Sequence, residues 1–210
     1  MDLAALYQYA DRATEEGVHA LVFPRIPGLG ADLAVLDAFF CNFIERAPAV
    51  TTVRPRWRHK GEGPLRPFDS ALGRTLVLEG DDCIDPALFQ EIQDCALDSL
   101  VWLFDAEDAL QAEAAIEFAI DASLHLAPLV VIATFNGEAR GVEAHGIGAI
   151  VHLGEVVAEG GEGDELLVAD LPTPAGFPER PRTLPVPVPV LEQRLVAHRA
   201  GEARRARGRS

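Results

Sequence analysis

Segments with strand character alternate with segments of helical periodicity up to about residue 135, which restricts the chain to folds that combine helices with a sheet. Short apolar runs bounded by glycine or proline predict strands, whereas apolar residues that recur every three or four positions predict helices. The predicted helices cover 3–16, 31–46, 86–97 and 107–126, and the predicted strands cover 18–24, 49–53, 74–79, 100–104 and 129–135.

Three short strand-like segments then follow one another without intervening helices: IGAIVHL, GEVVAEG and ELLVAD (165–170). Glycine and acidic residues separate them, a pattern typical of antiparallel hairpins. Alternation followed by clustering favours an α/β sandwich over a purely parallel sheet for residues 1–172. Residues 173–210 form a proline-rich arm and a basic C-terminal tail, and the arm's PVPVPV repeat predicts extended backbone.

The charge is distributed unevenly along the chain. The net charge is −15, yet residues 173–210 carry eight arginines against three glutamates. The acidic body lacks the positive surface that phosphate binding requires, so we expect no nucleic-acid partner for the body and no binding to an anionic membrane. Its single basic cluster is RPRWRHK at 54–60, which includes Lys60, in a segment that proline and glycine predict to be a loop.

Other features exclude several classes of protein. No uncharged run reaches the ~18 residues that a membrane-spanning helix needs, and the N-terminus does not resemble a signal peptide. Three cysteines without a C-x-x-C pair indicate a reducing compartment, so we expect a cytoplasmic protein. No two of the six histidines have metal-ligand spacing, and no nucleotide-binding motif is present; we therefore expect neither a metal nor a cofactor.

The most distinctive segment is EGDDCIDP (79–86), in which a predicted strand runs into a helix through four acidic residues. One interpretation is that Asp85 caps the helix begun by Pro86 while Glu79, Asp81 and Asp82 face solvent. The other is a cation site or a carboxyl acid/base pair, because crowded carboxylates share a proton or a metal. A helix N-terminus lowers the pKa of Cys83 and neighbouring carboxylates raise it, so we do not expect a strongly activated thiolate.

The order of four segments resembles the nitrilase superfamily of carbon–nitrogen hydrolases. These are EEGVHALVFP, FDSALGRTLVLEGDDCIDP, PLVVIATFNG and GIGAIVHLGEVVAEGGEGDELLVADL, which together span most of residues 8–171. The family's corresponding stretches are a strand ending in P-E, a strand ending in C-Y-D-x-x-x-P, a V-V-A-N strand and a closing hairpin. The resemblance implies an α-β-β-α sandwich with mixed sheets, a homodimer, and catalytic groups that comprise a glutamate base, a lysine and a cysteine nucleophile.

Position by position, the resemblance identifies a degenerate and shortened member. The glutamate that follows the strand proline falls on Arg25, and the cysteine, counted back from Pro86, falls on Gly80. The tyrosine falls on Asp81, and only the aspartate, Asp82, is kept. Lys60 is the sole candidate lysine, in a segment shorter than the family's, and the family's first strand would precede residue 1. Glycine offers no nucleophile, and arginine cannot accept a proton at neutral pH.

Three functions remain open from the sequence. The leading hypothesis is a pseudoenzyme that binds a small ligand, a carboxylate or an amide, or a partner subunit. Its ligand-binding residues would be Arg25, Lys60, Asp81 and Asp82, with Arg25 able to pair with the acidic turn. The first alternative is an active amidase that uses Cys83 as a displaced nucleophile together with Lys60. The second alternative is an assembly scaffold that recruits a partner through the proline-rich arm and the arginine tail.

Overall fold

A computed structural model describes residues 3–24, 51–53, 64–134, 137–139, 142–144, 148–161 and 166–172. The helices are α1 (Leu3–Glu15), α2 (Pro86–Asp94) and α3 (Ala109–His125). The strands are β1 (Ala20–Val22), β2 (Thr51–Val53), β3 (Phe68–Ser70), β4 (Gly73–Glu79), β5 (Ser99–Leu103), β6 (Leu129–Ala133), β7 (Gly137–Ala139), β8 (Val142–Ala144), β9 (Ala149–His152) and β10 (Glu155–Glu159). A 3₁₀ turn, Gly80–Ile84, joins β4 to α2.

The main sheet has six strands in the order β10-β9-β6-β5-β4-β3. Its centre, β4-β5-β6, is parallel, whereas β3, β9 and β10 join antiparallel to their neighbours. Parallel neighbours need a crossover, and α2 and α3 supply the two crossovers. The predicted mixed sheet is therefore confirmed, and the carboxyl ends of the three parallel strands lie at one edge of the sheet.

Both faces of the central strands are covered. On one face Leu78, Leu100 and Trp102 belong to a core that includes Phe89 of α2 and Phe118 of α3. The alternate residues, Val77, Val101 and Leu103, form a second cluster against which Val22 of β1 packs. Strands buried on both faces read as continuous apolar runs, which explains segments such as LVWLF. The main sheet thus lies between two helices and the small parallel β1-β2 sheet.

The ends of the helices are stabilised by local capping interactions. The Asp85 carboxylate accepts a hydrogen bond from the Ala87 N–H at 3.0 Å, with Pro86 as the first helical residue. The Asp108 carboxylate caps α3 by accepting from the Gln111 N–H at 2.8 Å. Gly17 has a φ of 71°, and the backbone N–H of Val18 donates to the Ala13 carbonyl at 3.0 Å, so α1 is terminated at a glycine.

Some predicted boundaries are wrong. Helix α2 ends at Asp94 rather than 97, because Ala96 adopts a left-handed φ of 49° that terminates the helix. Strand β1 spans three residues rather than the seven of 18–24. The described part of the predicted strand 165–170 contains no strand.

Two hairpins that the sequence did not predict are present. Strands β3 and β4 are joined by a tight turn at 71–72, followed by Gly73, whose φ of 80° favours glycine and where a Cβ would clash with the Asp98 side chain. The second hairpin joins β7 and β8. Strands of three residues are too short for alternation to be detected.

Several predictions fall outside the described residues: helix 31–46, most of the 54–67 loop, the proline-rich arm and the basic tail. Their structure stays a prediction. Among the helices that the structure does describe, none combines the length and apolar character needed to cross a bilayer.

Candidate functional site

The junction between β4 and α2 is the candidate site, because it lies at the carboxyl edge of the parallel strands, where open α/β sheets place ligands. The 3₁₀ turn carries Gly80, Asp81, Asp82 and Cys83 in succession. Four of the sequence-predicted site positions therefore share one turn, and each presents a different environment.

The acidic residues of the turn do not act as one cluster. Asp85 is the cap of α2, as predicted, and Asp81 is exposed. Asp82, which the first interpretation placed in solvent, is instead only 5% exposed, so that part of the prediction is wrong. Within the described part of the chain, no three histidine, cysteine or carboxylate side chains are grouped so as to hold a metal ion.

Gly80 occupies a backbone conformation that suits glycine. Its φ is 59°, in the left-handed region that side chains disfavour. A Cβ built on Gly80 would meet no heavy atom of the described residues within 4 Å. A cysteine here would have room for its side chain but would be held in a strained backbone conformation, at a cost of about 1–3 kcal/mol.

The backbone carbonyl of Gly80 accepts a hydrogen bond from a buried side chain of the core. Trp102 donates its indole Nε1–H to the Gly80 oxygen at 2.8 Å, and its ring is 1% exposed. The ring centroid lies 4.5 Å from that of Phe104 and 5.6 Å from that of Phe118. Trp102, which lies on β5 and is 22 positions away in sequence, thereby holds the turn in place. Trp102 was not among the site residues predicted from the sequence; the signal that could have identified it is that a buried indole requires a hydrogen-bond acceptor.

Cys83 lies inside the core rather than at the site surface. The residue is fully buried and belongs to the same apolar cluster as Phe89 and Trp102. Burial raises the pKa of the Cys83 thiol well above its usual range, and the neighbouring Asp82 raises that pKa further. The thiol is therefore protonated at neutral pH, and a ligand bound at the surface of the turn has no access to its sulfur. This agrees with the expectation that the thiolate is not activated.

Arg25 and Lys60 lie outside the described residues, so their approach to Gly80 stays a prediction. The same holds for the proposed pairing of Arg25 with the acidic turn. Within the described residues, the structure brings together a glycine with no side chain against it, one exposed and one buried carboxylate, and a buried thiol.

The fold is similar to that of solved amidase structures. The amidase from Nesterenkonia sp. AN1 matches with a TM-score of 0.63 and 18% identity, over 81% of this chain and 86% of that one. A mutant of that amidase, with acrylamide joined to its active-site cysteine by Michael addition, matches with a TM-score of 0.64 and 17% identity, over 81% and 86% of the two chains. Another mutant, described as an amidase from the nitrilase superfamily, has a TM-score of 0.63 and 17% identity, over 81% and 85%.

No family model matches the sequence. No curated protein matches it either. The structural similarity confirms the nitrilase-like α/β fold that the segment order predicted.

Proposed function

We propose that this protein keeps a nitrilase-like fold without carbon–nitrogen hydrolase activity and acts by binding a small ligand or a partner subunit. The observation that carries the proposal is Gly80, in a left-handed conformation at the strand-to-helix turn, where the motif resemblance expects the nucleophilic cysteine. Glycine supplies no atom that can attack a carbonyl or nitrile carbon.

The remaining chemistry supports the same proposal. Amide hydrolysis by a thiol needs a thiolate, a base that takes a proton, and donors that stabilise the tetrahedral oxyanion. The base position of the resemblance is Arg25, whose guanidinium stays protonated at neutral pH. Two of the three groups are thus replaced by residues that cannot perform their roles.

The alternative is an active amidase that uses Cys83 with Lys60, and the amidase structures with the same fold favour that reaction class. The burial of Cys83 argues against it. A nucleophile must reach the substrate and ionise, whereas Cys83 is 0% exposed and its pKa is raised. Activity through Cys83 would therefore require the 80–84 turn to open and the core beneath it to be exposed.

The ligand we propose is a small carboxylate or the corresponding amide. In this proposal Arg25 and Lys60, in segments that the sequence predicts to be loops, reach the turn and bind a carboxylate by charge-assisted hydrogen bonds, while its carbon chain lies beside Gly80. The exposed Asp81 is suited to accept from the N–H₂ of an amide, and the buried Asp82 follows it in the same turn. A homodimer is part of this proposal, and the mass of the protein in solution checks it.

Binding is tested by thermal unfolding with acetate, propionate, butyrate and their amides. At ten times its Kd, a ligand adds about 1.4 kcal/mol to the free energy of unfolding, which raises the Tm of a domain of this size by about 3–5 °C. We expect Arg25→Ala to abolish that shift. The matched control is Arg12→Ala on the exposed side of α1, which should respond like the wild type. An unchanged Tm with all six compounds, or an equal shift in Arg25→Ala, would contradict ligand binding at this site.

A further inference from the structure

Strand β10 forms an open edge of the main sheet. In the part of the chain that the structure describes, β10 pairs with β9 on one side and with no strand on the other. Its side chains are mostly exposed, including Val156 at 38% and Val157 at 44%. An unpaired edge with exposed β-branched residues is a template for a further strand.

The hairpin geometry shows which backbone groups face outward. The β9-β10 turn is the two-residue loop Leu153–Gly154, with φ values of 50° and 87°, typical of a type I′ turn. The flanking pair of such a turn exchanges hydrogen bonds, so the next residue, Val156, directs its N–H away from β9. At the other end Gly160 donates to the Gly148 carbonyl, so its neighbour Glu159 also directs its N–H outward.

A β-bulge between these two residues keeps their spacing regular. Val156 lies opposite Val151 and Glu159 opposite Ala149, positions that are only two residues apart on β9. The two outward N–H groups are thus separated by about 7 Å, the two-residue repeat of an extended strand. A strand that adds to this edge must therefore offer a hydrogen-bonding backbone group at every second residue.

The segment PVPVPV, residues 185–190, has that periodicity. In an extended strand alternate residues direct their backbone groups to the same edge, so the valines present all of their donors on one side. The prolines leave the opposite edge without donors, which is the placement that proline tolerates in an edge strand. The segment can therefore pair with one neighbour and cannot recruit a second.

Apolar contact favours the same docking. Val156 lies opposite Val151, which belongs to the helix-side core, so Val156 is on the helix side of the sheet. The exposed Leu153 and Leu124 lie at the turn that begins β10, where Leu124 reaches the Gly154 backbone. The valine side chains of an added strand all point to one face and would cover these residues.

The connecting chain is long enough. The Leu167 side chain lies beside Gly148, which precedes β9 and accepts a hydrogen bond from Gly160 at the end of β10, so this part of the chain is one strand away from the open edge. Eighteen residues separate Leu167 from Val186 and span up to about 60 Å when extended. The six-stranded sheet is about 24 Å wide, so the segment reaches β10 from within its own chain.

The open edge of β10, the two-residue spacing of its outward N–H groups and the length of the connecting chain all favour one arrangement. We propose that residues 185–190 of the same chain add to β10 as a seventh, outermost strand that closes the open edge of the sheet. This proposal is independent of ligand binding at the β4–α2 turn. It gives the proline-rich arm a structural role within the protein, in contrast to the recruitment of a partner.

Residue-resolved amide hydrogen exchange on the full chain tests the proposal. In the wild type we expect the Val156 and Glu159 amides to exchange at least about tenfold more slowly than in Val186→Pro/Val188→Pro, which removes two donors facing β10. The matched control, Pro185→Val/Pro187→Val, adds donors on the far edge and should keep the slow exchange. Ala149 and Val151 of β9 report whether each variant is folded.

Three results would overturn the proposal. Fast exchange at Val156 and Glu159 in the wild type would show an open edge. Equal protection in the wild type and in Val186→Pro/Val188→Pro would assign the protection to another segment. Protection that grows with protein concentration would assign the edge to a second copy of the chain.

Discussion

Replacing Trp102 by alanine is expected to lower the free energy of unfolding by about 3–5 kcal/mol, the range measured for large aromatic side chains removed from a core. Trp102 is 1% exposed, packs on Phe104 and Phe118, and donates its indole N–H to the Gly80 carbonyl. The substitution removes both the aromatic packing and the hydrogen bond to the Gly80 carbonyl. Small domains are stable by only about 5–15 kcal/mol, so the loss should be evident as a large decrease in the urea midpoint.

Trp102→Phe separates the two contributions. Phenylalanine keeps an aromatic ring between Phe104 and Phe118 but has no N–H, so the Gly80 carbonyl loses its indole donor. The expected cost is about 1–3 kcal/mol, that of a buried polar group left without a partner. A Trp102→Phe protein as stable as the wild type would show that the indole bond does not hold the turn.

The buried thiol predicts a pH-dependent stability. The Cys83 pKa is raised in the folded protein, so the thiol stays protonated there, whereas in the unfolded chain it ionises above about pH 8.5. Its stabilising contribution is therefore fully present below pH 8.5 and falls as pH rises toward the folded-state pKa. Each pH unit between the unfolded-state and folded-state pKa values costs about 1.4 kcal/mol of stability.

Urea unfolding between pH 8 and 10.5 measures this slope, with Cys83→Ala as the test variant. Other groups titrate in the same range, so the difference between the two proteins carries the prediction, and the wild type should lose more stability. Cys95→Ala is the matched control: the Cys95 pKa is also raised by burial, but this thiol is less buried and Arg74 opposes the shift, so a smaller difference is expected. Parallel pH profiles for the wild type and Cys83→Ala would place the Cys83 thiol in a solvated environment.

Much of the central architecture could be predicted because local signals and burial agree there. Strands β4, β5 and β6 are short apolar runs buried on both faces, and each lies within one or two residues of its predicted bounds. Asp85 followed by Pro86 fixed the start of α2, since a capping carboxylate and a proline at the first helical position are local features.

The site was less predictable because its properties depend on contacts that are distant in sequence. Asp82 and Asp81 are adjacent and chemically identical, yet one is buried and the other exposed, which only the packing of the turn decides. The Trp102–Gly80 hydrogen bond joins residues 22 positions apart and leaves no periodic signal. ELLVAD has strand propensity, but the described residues from 166 to 170 form no strand, because strand formation also requires a partner edge.

Loss of hydrolysis is tested most directly by ammonia release from a panel of small amides and nitriles, with wild-type protein, Cys83→Ser, and an active nitrilase-superfamily amidase as positive control. We expect ammonia at the buffer background from the wild type and from Cys83→Ser, while the control turns over its substrates. Release by the wild type that disappears in Cys83→Ser would contradict it, because the buried thiol would then be a working nucleophile.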